Sequence, residues 1–138
     1  MSLGLLLALG ALGLYLMLSG KRREGLSQDV DANTLSELAE AGSDLSQPHE
    51  MEFFFYLPTE EAAQAVAERL RQDGFVIRLE SVDPDHDWLC LGTREMTPGL
   101  PELQRLRTRF TSLAESHGGA YDGWGATVVE PDSGPRPA

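Results

Sequence analysis

The sequence predicts an α+β domain carried behind an N-terminal apolar helix. Three observations lead there. No charged side chain occurs from Ser2 to Gly20, and Lys21, Arg22 and Arg23 follow at once. Phe53, Phe54, Phe55 and Tyr56 are consecutive aromatics, the composition of a strand buried on at least one face. Two later stretches, 60–70 and 103–114, carry apolar residues at helical spacing.

The apolar stretch comes first in the chain. At 1.5 Å per residue it reaches roughly 27 Å, close to the hydrocarbon thickness of a bilayer. Its leucines fall on every side of a helical wheel, which argues against a helix lying in the interface. A cleaved signal peptide carries its positive charge before the apolar run, whereas here the cations follow it. The expectation is a single membrane span over residues 3–19, with the basic flank and everything after it in the cytoplasm and the N-terminus outside. Residues 1–23 thus read as an anchor. Residues 24–48, with six acids and no base, read as an acidic flexible linker, with two turns of helix over 33–41 ended by Pro48. Residues 49–131 read as the folded domain and 132–138 as a disordered tail.

Within the domain, Met51 to Leu57 is the first strand. Met51, Phe53, Phe55 and Leu57 share one face, and Glu52, Phe54 and Tyr56 the other. Pro58 stops it. Thr59 is the N-cap of a helix whose apolar stripe is Ala62, Ala63, Val66, Ala67 and Leu70, and Gly74 ends that helix. Phe75 to Val82 and Trp88 to Glu95 read as a hairpin around the turn Asp83 to Asp87. Pro98, Gly99 and Pro101 open a second helix with the stripe Leu103, Leu106, Phe110, Leu113 and Ala114, while Arg105, Arg107 and Arg109 point elsewhere. Gly118 and Gly119 end it. Ala126 to Val129 reads as a short last strand, preceded by a turn at Tyr121 to Gly125. The order strand, helix, strand, strand, helix, strand is the ferredoxin-like βαββαβ two-layer sandwich.

Composition narrows the function. With 22 acidic and 11 basic residues, the net charge is −11. Such a chain disfavours bare phosphate and favours basic partners, so no direct nucleic-acid binding is expected. The single cysteine, Cys90, excludes an internal disulfide, fits a reducing compartment and reads as a small buried side chain.

No catalytic constellation is found. Asp83, Asp85 and Asp87 begin like a calcium loop, but its sixth and twelfth positions hold Trp88 and Arg94. The turn with His86 reads as a solvated hairpin, so no metal site and no cofactor are expected. Nothing in the sequence brings His49 or His117 to a Ser, Cys or acid pair.

The most distinctive run is Tyr121-Asp122-Gly123-Trp124-Gly125. Together with Glu52-Phe53-Phe54-Phe55-Tyr56, it resembles the family named regulator of ribonuclease E activity B over residues 49–131. The resemblance implies a ferredoxin-like, non-enzymatic protein that binds ribonuclease E and restrains RNA cleavage by protein contact, at the inner (cytoplasmic) membrane of a bacterium. Family members are generally soluble, so the anchor is a departure from the pattern. The alternative is a membrane-tethered scaffold domain with a different protein partner. Phe54, Tyr56, Tyr121, Asp122 and Trp124 are the candidate partner-binding residues. The turn at Tyr121 to Gly125 is equally readable as a structural corner.

Overall fold

The computed structural model describes residues 27–82 and 87–131. The apolar stretch with its basic flank, the turn at 83–86 and the tail 132–138 lie outside the described residues. Among the described residues no helix is long and apolar enough to cross a membrane. In chain order the elements are α1 (Ser27–Glu40), β1 (His49–Leu57), α2 (Glu60–Gln72), β2 (Val76–Ser81), β3 (Trp88–Met96), α3 (Leu100–Glu115) and β4 (Ala120–Ala126). Among the described residues the fold is α+β, with three helices and a four-stranded antiparallel sheet.

The strand order in the sheet is β2-β3-β1-β4, which places β1 and β3 at the centre. β1 earns that position through its alternation: Met51, Phe53, Phe55 and Leu57 are fully buried under the helices, and Glu52, Phe54 and Tyr56 are half-buried on the other side. Thr59 caps α2 as expected, its Oγ1 accepting the backbone N–H of Ala62 at 3.0 Å. Gly74 closes the helix with φ +93°. Gly99 is the N-cap of α3, with proline in its first turn.

Phe110 on α3 is the centre of the core. Its ring lies 5.5 Å from that of Phe53, 5.1 Å from Phe55, 5.8 Å from Phe75 and 5.4 Å from Tyr121, all edge-on. Edge-to-face contacts of this kind add attraction to the burial of the rings themselves. Arg109 on the same helix reaches Asp73 at the end of α2, tying the two helices together at the surface.

Two expectations are corrected. The segment 24–48 is not uniformly linker: helix α1 runs from Ser27 to Glu40, twice the two turns expected, and packs against α3 and β4. Its buried side is Asp31, Thr34 and Leu38, so two of these three inward residues are polar and the stripe escapes a search for apolar periodicity. Gly42, with φ +101°, ends it ahead of Pro48: the N–H groups of Gly42 and Ser43 bond Ala39 O and Leu38 O at 2.9 and 3.1 Å.

The second correction concerns the last strand. Tyr121 to Gly125 is not a turn before a strand at 126–129, because it is itself the body of β4. The register against β1 slips between Phe53 and Phe55, where Asp122 and Gly123 stand opposite a single residue. Gly123 takes the positive φ of +106° that this bulge requires. Beyond β4, Val129 is held by the segment after α1, accepting Asp44 N–H at 2.7 Å.

Candidate functional site

The structure divides the five candidate residues between the two sides of the sheet. Phe54 and Tyr56 are half-buried on the face that α2 and α3 leave open. Tyr121 and Trp124 belong to the core on the helix side, at 9% and 2% exposure. Asp122 lies at the bulge between them, half-buried. Its charge reaches both sides. After burial, it is the first of the charges that push the Tyr56 phenol up, and it adds to the field around Arg107.

Behind β4 the geometry is that of a clamp. Asp31 of α1 is fully buried, and Arg107 grips it through two hydrogen bonds, Nε to Oδ2 at 2.9 Å and Nη2 to Oδ1 at 3.0 Å. Trp124 Nε1–H donates to the same Oδ1 at 3.1 Å. The Arg107 guanidinium sits 5.2 Å above the Tyr121 ring. Burial works against the charge of Arg107, but the hydrogen bond and field of Asp31 outweigh it and raise its pKa. Burial also pushes the Tyr121 hydroxyl well above the ordinary tyrosine range. Arg107 therefore does not point away from the packed side, as the sequence suggests. A cavity of about 50 Å³ beside Arg107 and Gly123 leaves room for little more than a water molecule. Trp124 thus holds α1 through Asp31, and Tyr121 packs against Phe55, Phe110 and Arg107.

The sequence gives no reason to expect a further buried pair, of a serine and a histidine. Ser43 Oγ is 2.6 Å from His49 Nε2, and His49 Nδ1 is 2.8 Å from Gln47 O. The carbonyl can only accept, so Nδ1 carries a proton, and in the neutral ring Nε2 accepts from the serine hydroxyl. Ser43 Oγ also accepts Val129 N–H at 2.8 Å. Both side chains are buried, His49 at 1% exposure. An attacking hydroxyl needs open space beside it. This one is enclosed and ties the end of α1, the start of β1 and the segment after β4 together.

Cys90 is buried on the helix side of β3, opposite Phe55. Burial pushes its thiol up to about 12, against the pull of the Arg71 charge. The thiolate needed for nucleophilic or redox chemistry is absent at neutral pH. Among the described residues no group of three or more His, Cys, Asp or Glu could hold a metal ion. The Asp83 to His86 turn lies outside them.

The open face is ordered in rows across the sheet. Glu50 stands opposite Glu95; next come Glu52, Thr93 and Val76, then Phe54, Leu91 and Arg78, then Tyr56, Leu89 and Glu80. Acids rim an apolar centre in which Leu91 is 5% exposed and Phe54 and Leu89 are half-buried.

A family model described as regulator of ribonuclease activity B matches residues 28–126, well over half of the 138-residue chain. The chain belongs to that family. No curated protein matches it. The match begins at α1 and ends with β4, so the family unit is the whole folded body, clamp included, and is longer at its N-terminal end than the domain starting at residue 49. In regulator of ribonuclease activity B terms, the helix-side residues of the Tyr121 to Gly125 run hold the unit together, while the open sheet face is the part turned outward.

Proposed function

We propose that the chain is a non-enzymatic regulator that binds a basic protein partner, in the first instance ribonuclease E, and lowers RNA cleavage at the cytoplasmic face of the membrane. The observation that carries this reading is the family match over the entire folded unit, residues 28–126. The charge pattern supports it. A net charge of −11 repels RNA and attracts the basic segments of a protein that binds RNA, so restraint acts through the enzyme rather than through the substrate. Phe54, Tyr56 and Asp122 supply contact, while Tyr121 and Trp124 act from behind by holding the bulge on which Asp122 sits.

In this reading residues 3–19 are the membrane span, with the N-terminus outside. Tethering confines regulator and enzyme to one thin layer and raises their effective concentration. Extraction separates the parts of this reading. The full chain should resist alkaline washing of membranes, and a chain lacking residues 1–23 should leave with the soluble fraction. The functional test is RNA cleavage by purified ribonuclease E with and without the detergent-solubilised full chain. Cleavage should slow, and the effect should fade steeply as salt rises. Unchanged cleavage at low salt would remove ribonuclease E as the target.

One observation favours a second reading. The family match leaves the apolar stretch outside it. A membrane-tethered scaffold that has kept the fold and changed partner fits that boundary. Capture of a different protein from detergent extracts, with ribonuclease E absent, would decide for it.

A further inference from the structure

The geometry points to the open face of the sheet as the docking surface for an extended, arginine-bearing segment of a protein partner, its guanidinium groups over Glu50, Glu52 and Glu95 and its apolar side chain on Phe54 and Leu91. This inference deepens the proposed regulatory contact and rests on it for the identity of the partner.

The like-charge arrangement is the first support. Glu50 and Glu95 are directly opposite each other on β1 and β3, and Glu52 follows on the same face. Like charges in a cross-strand pair destabilise a sheet. Among the described residues none of these three carboxylates makes an ion pair. Arg78, the cation of this face on β2, is bound instead to Glu80 at 2.9 Å. Burial raises the pKa of Glu52, the Arg78 charge works against that rise, and Glu50 adds to it. A cation placed there would relieve the repulsion and offset the cost of the partial desolvation.

Shape and chemistry choose the occupant. A cleft of about 480 Å³ opens among Glu50, Glu52, Glu95, Val76 and Leu91, with Arg78 and Arg94 also in its wall. Val76 at its edge is 73% exposed. Alternate side chains of a strand repeat at about 6.8 Å, so an extended segment lying along β1 places successive side chains over Glu50, Glu52 and Phe54 in turn. That order asks for cation, cation, apolar. Arginine suits the first two positions because its planar fork pairs with carboxylates bidentately and stacks on aromatic rings. RNA would bring its phosphates onto the acidic rim.

The test uses the full chain in detergent and two probes. One is a short synthetic peptide carrying arginine, arginine and leucine at alternate positions; the other is purified ribonuclease E. The peptide should bind the native chain, and Glu50→Gln, Glu52→Gln and Glu95→Gln together should weaken it about tenfold or more. Glu61→Gln, Glu68→Gln and Glu115→Gln together remove the same charge from the helix side and should leave binding within about twofold. Equal weakening by both sets would mean net charge alone attracts the peptide and would overturn the proposal. So would binding that appears only after Lys21, Arg22 and Arg23 are replaced by Gln, since the chain's own cations would then hold the face. Single-stranded RNA that binds in place of the peptide would overturn it as well. If the peptide behaves as expected and ribonuclease E does not bind, the surface stands and the choice of ribonuclease E falls. If ribonuclease E binds equally well with and without the three face substitutions, the regulatory reading stands and this surface falls.

Discussion

At the residue scale, Cys90 and Phe110 lead to the most direct tests. Cys90 keeps its proton in the fold up to about pH 12, against an ordinary value of 9.0. It should resist iodoacetamide at pH 8 in the native chain and react at once in urea, and rapid native labelling would contradict its burial. The same shift sets a pH dependence. Between pH 9 and 12 the unfolded thiol has lost its proton while the folded one holds it, so unfolding releases protons and stability falls as pH rises. Below pH 9 both states are protonated and this contribution is constant. The raised Tyr121 hydroxyl acts in the same direction. Denaturant midpoints measured across pH 8 to 11 should therefore decline, and Cys90→Ser should flatten part of the decline. Phe110 touches four aromatic rings across β1, β4 and the start of β2. Phe110→Ala should cost about 3–5 kcal/mol in chemical denaturation.

Helix α1 is the element whose stability depends most on one contact. Alone, a fourteen-residue helix of this composition is marginal in water. What holds it is the buried carboxylate of Asp31, satisfied by Arg107 and Trp124. Asp31→Ala strands the Arg107 charge against the Tyr121 ring and should cost about 3–5 kcal/mol. Amide exchange over residues 30–40 should speed up far more than exchange in β1. Replacing the pair together, Asp31→Leu with Arg107→Met, should recover most of the loss, because it removes both charges from the interior. Equal exchange rates in native and Asp31→Ala chains would show that α1 is held by Leu38 and its neighbours instead. The element also shows where sequence reading stops. β1, α2, β3 and α3 announce themselves through apolar residues at period two or 3.6, and β1 and β3 lie within two residues of their expected bounds. The inward side of α1 is Asp31 and Thr34, whose partners lie more than seventy residues away for Asp31 and one helical turn away for Thr34. No local pattern carries a contact to Arg107.

For the molecule as a whole, charge and layering decide the behaviour. The folded body places α2 and α3 over one side of the sheet and leaves acids around an apolar centre on the other. With a net charge of −11, self-repulsion should lower stability at low ionic strength. Raising salt from about 0.02 to 0.5 M should raise the Tm by a few degrees while weakening the partner contact, so stability and binding should respond to salt in opposite senses. A thermal scan paired with a binding titration in the same buffers checks this, and a parallel fall of both would point to loss of structure rather than screening.

The sequence by itself determined the α+β class, the order of strands and helices in the domain, the two faces of β1 and the acidic character that disfavours bare phosphate. These follow from local periodicity and from composition, which need no knowledge of the fold. Tertiary structure alone decided where the candidate residues sit. Tyr121, Asp122 and Trp124 are neighbours in the chain, yet strand alternation and the bulge at Gly123 send Tyr121 and Trp124 into the core and leave Asp122 between the two sides. The same packing brought Ser43 to His49 and Asp31 to Arg107, and lined up Glu50, Glu52 and Glu95 on one face. Register between distant strands creates those groupings, and register is a property of the assembled sheet rather than of any one segment.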